Sequence, residues 1–162
     1  MKENADKTNA MRMLDRAKIA YRIHTYDGSD GHIDGLSVAE KTGLPAERVY
    51  KTLVTAGHSR ANYVFVIPVG RELDLKKAAR SVGEKSVEMI HAADLFRVTG
   101  YIRGGCSPVG MKKTFVTRID AGAEERGQDR HADRALAGVA CGAHPCGICR
   151  PSAKVKNPRE NV

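Results

Sequence analysis

Helical and strand periodicities alternate along this chain of 162 residues, which predicts an α/β (α+β) fold. Three observations carry that expectation. Residues 49–54 and 62–68 are runs of apolar and β-branched residues, joined through Gly57-His58-Ser59-Arg60, and the pair reads as a hairpin. Capped segments with apolar residues at helical spacing flank these runs. A hydrophobic content of 41% in a chain of this length suffices for one buried core.

Taken in order, residues 5–17 read as a helix with Ala10, Met13, Leu14 and Ala17 on one face. Residues 21–26 alternate as a strand, setting Tyr21, Ile23 and Thr25 opposite Arg22, His24 and Tyr26. Residues 27–31 form a loop rich in Asp and Gly. Ser37 with Glu40 reads as a capping box, with Ser37 the N-cap of a short helix that stops at Gly43. The hairpin follows. Asp74 then caps a helix over 75–82, whose inner face is Leu75, Ala78, Ala79 and Val82 and which ends at Gly83. Residues 87–90 read as a short strand, 92–98 as a helix closed by Thr99-Gly100, and 114–120 as a last strand.

No apolar run approaches the ~20 residues that span a bilayer, and the first residues lack the apolar core of a signal peptide. A cytoplasmic protein without membrane contact is expected. In that compartment four cysteines are thiols or metal ligands rather than disulfides. The formal net charge of +8 suits a polyanionic partner such as RNA without requiring one.

Candidate chemistry centres on Lys51, a charged residue inside the apolar run 47–54. Lysine is rarely buried unless it is paired or needed. Either Lys51 snorkels to an edge and sits in water, or it projects into a pocket to meet an anion or a polarised carbonyl. A second candidate is the loop Gly104-Gly105-Cys106-Ser107-Pro108-Val109-Gly110. Backbone N–H groups freed in such a loop can bind a carboxylate, phosphate or oxyanion, although ordinary turns use the same residues.

Five landmarks, in order, resemble the YbaK/EbsC family, the freestanding editing proteins similar to the insertion domain of prolyl-tRNA synthetase. They are His24-Thr25-Tyr26, Val49-Tyr50-Lys51-Thr52-Leu53, Leu73 through Ala79, Val87-Glu88-Met89, and Thr99 through Gly110. The resemblance covers roughly residues 5–125. It implies a curved mixed sheet packed by helices, and hydrolysis of a wrong amino acid from tRNA, above all cysteine from tRNA(Pro). It implies catalytic roles for Lys51 and Gly104, and substrate-binding roles for Tyr26, Thr52, Gly105 and Ser107. The family activity is thought to be partly substrate-assisted, the cysteinyl thiol attacking its own ester carbonyl. Such chemistry asks for shape and placed donors rather than a protein nucleophile. Cys106 accordingly reads as a small apolar substitute where the family carries an aliphatic residue. His24 reads as a strand residue at the pocket edge, and His58 and His91 as loop or cap residues. No cofactor and no metal are expected. Aminoacyl-tRNA is the expected partner, with prolyl-tRNA synthetase a candidate second one. The rival reading is a non-enzymatic RNA- or synthetase-binding module of the same fold.

Residues 1–125 are therefore expected to form the deacylase domain, and 126–162 an atypical tail. All eight aromatic residues lie between Tyr21 and Phe115, while three of the four cysteines lie in the tail. One reading of the tail is a zinc knuckle built from Cys141, His144, Cys146 and Cys149, but these ligands crowd together without a second separate pair. The other is a shifted reading frame: residues 139–149 can be back-translated so that the next frame encodes a strand and a capped helix. The composition favours the shifted frame.

Overall fold

The computed structural model describes residues 7–123 and, beyond them, the backbone of two short strands at 138–139 and 146–148. Helix α1 (Asn9–Arg16) is opened by Thr8, whose hydroxyl accepts from the Met11 N–H. Its buried residues are Ala10, Met11 and Leu14, whereas Met13 is exposed. The expected face is thus rotated by one position. Helical spacing alone allows either methionine, and Met11 is drawn inward as the partner of the Thr8 cap, its sulfur accepting from the Thr8 N–H.

Strand β1 (Arg22–His24) leads through the loop to α2 (Gly35–Thr42). Asp34, not Ser37, caps α2: its carboxylate accepts from the N–H groups of Leu36 and Ser37 and from the Ser37 hydroxyl. Both residues fit the cap pattern, and the carboxylate accepts from two amides where a hydroxyl would serve one. A 3₁₀ turn (Ala46–Arg48) after Pro45 feeds β2 (Val49–Gly57), which pairs antiparallel with β3 (Asn62–Pro68) from Tyr50↔Pro68 to Ala56↔Asn62. The expected hairpin is present. Helix α3 (Leu75–Ser81) is capped by Asp74, and buries Ala78 and Ala79 while Leu75 stays exposed. Strand β4 (Val87–Met89), helix α4 (Ala92–Thr99) and β5 (Val116–Ile119) follow.

Strand β5 runs parallel to β3, and β4 antiparallel to β2. The short strands β6 (Gly138–Val139) and β7 (Cys146–Ile148) lie between β2 and β1, so the sheet is mixed, in the order β1-β7-β6-β2-β3-β5. One face of the hairpin packs Tyr50, Val54, Val64 and Val66 against Cys106 and the α4 residues Leu95 and Val98. On the other face Phe65 meets Ala78 and Ala79, and Val49 and Val69 meet Ala39 of α2. Ile23 of β1 is half exposed. Among the described residues no helix is long and apolar enough to cross a membrane.

Gly57 marks a close approach at the hairpin end. A Cβ there would sit 2.6 Å from the Glu84 carboxyl and 2.8 Å from the Tyr63 ring. Glu84 uses that space to accept from the Tyr63 hydroxyl at 2.7 Å, the Ser59 N–H at 3.2 Å and the Ser59 hydroxyl.

Candidate active site

Strand pairing leaves a gap on one edge of β2. Residues 49–50 pair with β6 and residues 55–57 with β4, and among the described residues no strand covers 51–54 between them. The direction of the backbone there follows from two hydrogen bonds. The Val49 carbonyl accepts from Val69 on the β3 side, and the Val54 carbonyl accepts from Ile90 on the opposite side. Because peptide groups alternate along a strand, Thr52 shares the direction of Val54. Its N–H and C=O therefore face the gap.

A cavity of about 800 Å³ fills this gap. It is lined by residues 31–35 of the loop and cap before α2, by 51–54 of β2, by residues at the start of α4, and by Arg103, Gly104 and Cys106. Lys51 reaches it half buried, and its ammonium donates to the Val69 carbonyl at 3.2 Å. That bond engages one of three donors, and no carboxylate pairs with Lys51 among the described residues. Thr52 adds a buried hydroxyl with no hydrogen-bond partner among the described residues. A buried orphan hydroxyl is uncommon and points to a group that arrives from outside.

The two adjacent glycines differ in a way that their sequence does not show. Gly104 lies on the cavity with φ 82°, the left-handed region that favours glycine, and its N–H has no partner among the described residues. The Gly105 N–H is spent on the Ile102 carbonyl at 3.0 Å, and Gly105 does not line the cavity. Ser107 is buried behind the loop, where its hydroxyl accepts from the Val109 N–H at 3.1 Å. Tyr101 holds the same turn from the far side, donating its hydroxyl to the Val109 carbonyl at 2.7 Å. Asn9 of α1 adds a bond to the Gly110 carbonyl at 2.6 Å. The loop that presents Gly104 is thus braced by Tyr101 and by Asn9 of α1.

Tyr26 is half buried just beyond β1 and does not line the cavity. Nor does His24, whose Nε2 is buried without a partner among the described residues. Cys106 lines the cavity and packs into the core beside Tyr50 and Val54. His91 occupies the N-cap position of α4 without a side-chain bond, and His58 sits exposed in the hairpin turn.

Sequence reading passed over Arg103 and residues 31–35. Arg103 adds a second cation to the lining, and its position next to the glycine pair was the available signal. Among the described residues Asp34 is the one carboxylate in that lining, and it is engaged at the start of α2. The Ser37 hydroxyl and the amides it caps hold its carboxyl below the ordinary range, so Asp34 is a poor proton acceptor. The cavity supplies cations, backbone donors and a hydroxyl. Such a set can orient an ester and stabilise the oxyanion formed from its carbonyl. Among the described residues no group of three His, Cys, Asp or Glu could hold a metal, and the side chains of Cys141, His144, Cys146 and Cys149 lie outside them.

The aminoacyl-tRNA editing domain matches residues 36–127. The chain belongs to that family. A relative from Enterococcus faecalis, described as a candidate Cys-tRNA(Pro)/Cys-tRNA(Cys) deacylase EbsC, is 48% identical over 124 residues, covering 76% of each chain. Two solved structures share the editing-domain fold. The hypothetical protein APE2540 superposes with a TM-score of 0.70 at 17% identity, covering 88% of this chain and 89% of its own. A candidate trans-editing enzyme for prolyl-tRNA synthetase gives 0.62 at 21% identity, with 90% and 87% covered. The YbaK/EbsC resemblance read from the five landmarks agrees with the family match and with the relative.

Proposed function

We propose that this editing-domain protein hydrolyses the ester of mischarged aminoacyl-tRNA in trans, and that cysteine on tRNA(Pro) is its main substrate. One observation carries the reading: Lys51, Thr52 and Gly104 bring an ammonium, an orphan hydroxyl and an unspent N–H to a single cavity. The choice of cysteine rests on the name of the Enterococcus faecalis relative.

The roles follow from the donors. The ester carbonyl enters the gap beside β2, where the Gly104 N–H donates to the oxygen as it gains charge. Lys51 and Arg103 hold the anionic end of the tRNA or the polarised carbonyl. Thr52 bonds the amino group or the ribose hydroxyl. The attacking oxygen of water bonds to the carbonyl carbon, the ester C–O bond breaks, and the proton ends on the freed 3′ oxygen of the tRNA. With a cysteinyl ester the substrate thiol can attack first. The S–C bond then forms as the C–O bond breaks, the thiol proton passes to the 3′ oxygen, and water opens the cyclic thioester. Neither course needs a carboxylate base, in keeping with the engaged state of Asp34. Prolyl-tRNA synthetase is the partner that would release such substrates, on the name of the second solved structure alone.

The test is a panel of Cys-, Ala- and Pro-tRNA(Pro) incubated with the purified protein. Release of cysteine with Pro-tRNA(Pro) left intact supports the reading. Equal loss of all three esters, or none, opposes it, and tRNA binding without turnover would favour the binding-module rival.

A further inference from the structure

The loop before α2 forms one wall of the cavity yet contains no regular structure, so its backbone polar groups need partners from elsewhere. One side chain supplies two of them and a carboxylate contact besides. Lys41, in the last turn of α2, donates to the Asp27 carbonyl at 2.7 Å, to the Asp30 carboxylate at 2.6 Å and to the His32 carbonyl at 2.9 Å. All three ammonium donors are thereby used, and the side chain is only 23% exposed, unusually covered for a lysine. Two local bonds tighten the arrangement: Ser29 N–H to the Asp27 carboxylate at 2.9 Å, and His32 N–H to the Asp30 carboxylate at 3.0 Å. The helix that the loop leads into thus reaches back and pins it, and the pinned backbone continues directly into Gly31, His32 and Ile33 of the lining.

We propose that Lys41 is a positioning residue that sets the width of the substrate cavity by clamping residues 27–33, and so governs which aminoacyl ester fits. This rests on the deacylase reading above. Lys41 is absent from the cavity lining, so it acts through the wall and not on the ester. The three acceptors converge on one point, which suits a compact ammonium. A planar guanidinium cannot reach all three in the same way.

The test compares Lys41→Met, Lys41→Arg and Asp30→Asn with the wild type, after each variant is shown to melt cooperatively. Two readouts are taken: amide hydrogen exchange across residues 27–33, and steady-state kinetics on Cys- and Ala-tRNA(Pro). For Lys41→Met, loop exchange should rise about tenfold or more while β2 and β3 exchange as before. Its KM for Cys-tRNA(Pro) should rise about tenfold with kcat within about threefold, and the preference for cysteine over alanine should shrink. Lys41→Arg and Asp30→Asn should fall between. Unchanged loop exchange in Lys41→Met overturns the clamp whatever the kinetics show. Faster exchange with KM and preference unchanged overturns its role in substrate fit. A wild type that releases no amino acid defeats the deacylase reading instead, and exchange alone then decides the clamp.

Discussion

Thr52 and Gly104 bring unspent polar groups to one cavity from two separate elements, Thr52 from the uncovered edge of β2 and Gly104 from the braced loop after α4. Neither group is satisfied within the described chain. A protein that leaves such groups unpaired forgoes stability at those points, and the natural compensation is a ligand that pairs them.

Thr52→Val tests that trade directly. The swap keeps the shape and removes the orphan hydroxyl, so thermal stability should stay level or rise by up to about 1 kcal/mol. Deacylation should fall about tenfold or more in kcat/KM. A destabilised variant with full activity would show that the hydroxyl serves the fold.

Gly104→Ala should act through the backbone. At φ 82° an added Cβ costs roughly 1–2 kcal/mol, and relief of that strain turns the N–H away from the cavity. We expect kcat to drop about tenfold to a hundredfold with KM changed less, as for a donor that engages mainly in the transition state. Steady-state kinetics on Cys-tRNA(Pro) would check it.

Acid should loosen the end of the hairpin. The hydroxyls of Ser59 and Tyr63 hold the Glu84 carboxyl below its ordinary value of 4.5. A depressed pKa contributes stability that is present above the unfolded value and is lost as pH falls through the folded one. Melting temperature of the wild type should therefore fall below about pH 5 more steeply than that of Glu84→Gln. Parallel curves for the two proteins would refute the assignment.

Much of this was legible in the residues, and the exceptions have physical causes. The hairpin was visible because β-branched runs flank a Gly-Ser turn, and Lys51 because a charge interrupts an apolar strand. Gly104 was visible as a loop glycine, but its difference from Gly105 depends on which N–H the turn consumes. The wall at residues 31–35 was not legible, since its shape depends on bonds from Lys41, which lies nine to fourteen residues along the chain from its acceptors. Asp34 and Ser37 both satisfy a cap pattern, and local sequence did not rank them. The gap beside β2 is a property of strand pairing that no single segment encodes.

Among the described residues the cavity lining runs from Gly31 to Cys106. We propose the shifted reading frame for the tail from residue 126, with β6 and β7 contributing two and three strand residues to the sheet. A chain ending at residue 125 should keep kcat/KM for Cys-tRNA(Pro) within about threefold of the full chain. A large loss of activity or of melting temperature would mean that β6 and β7 are integral, because β1 joins β2 only through them among the described strands.

The most direct measurement is single-turnover deacylation of Cys-tRNA(Pro) by wild type and Lys51→Ala, with tRNA affinity measured alongside. Loss of Lys51 should lower the rate about a hundredfold or more while affinity for tRNA stays within about threefold. Equal rates for the two proteins, from samples that both melt cooperatively, would contradict the assignment of Lys51 to the reacting ester.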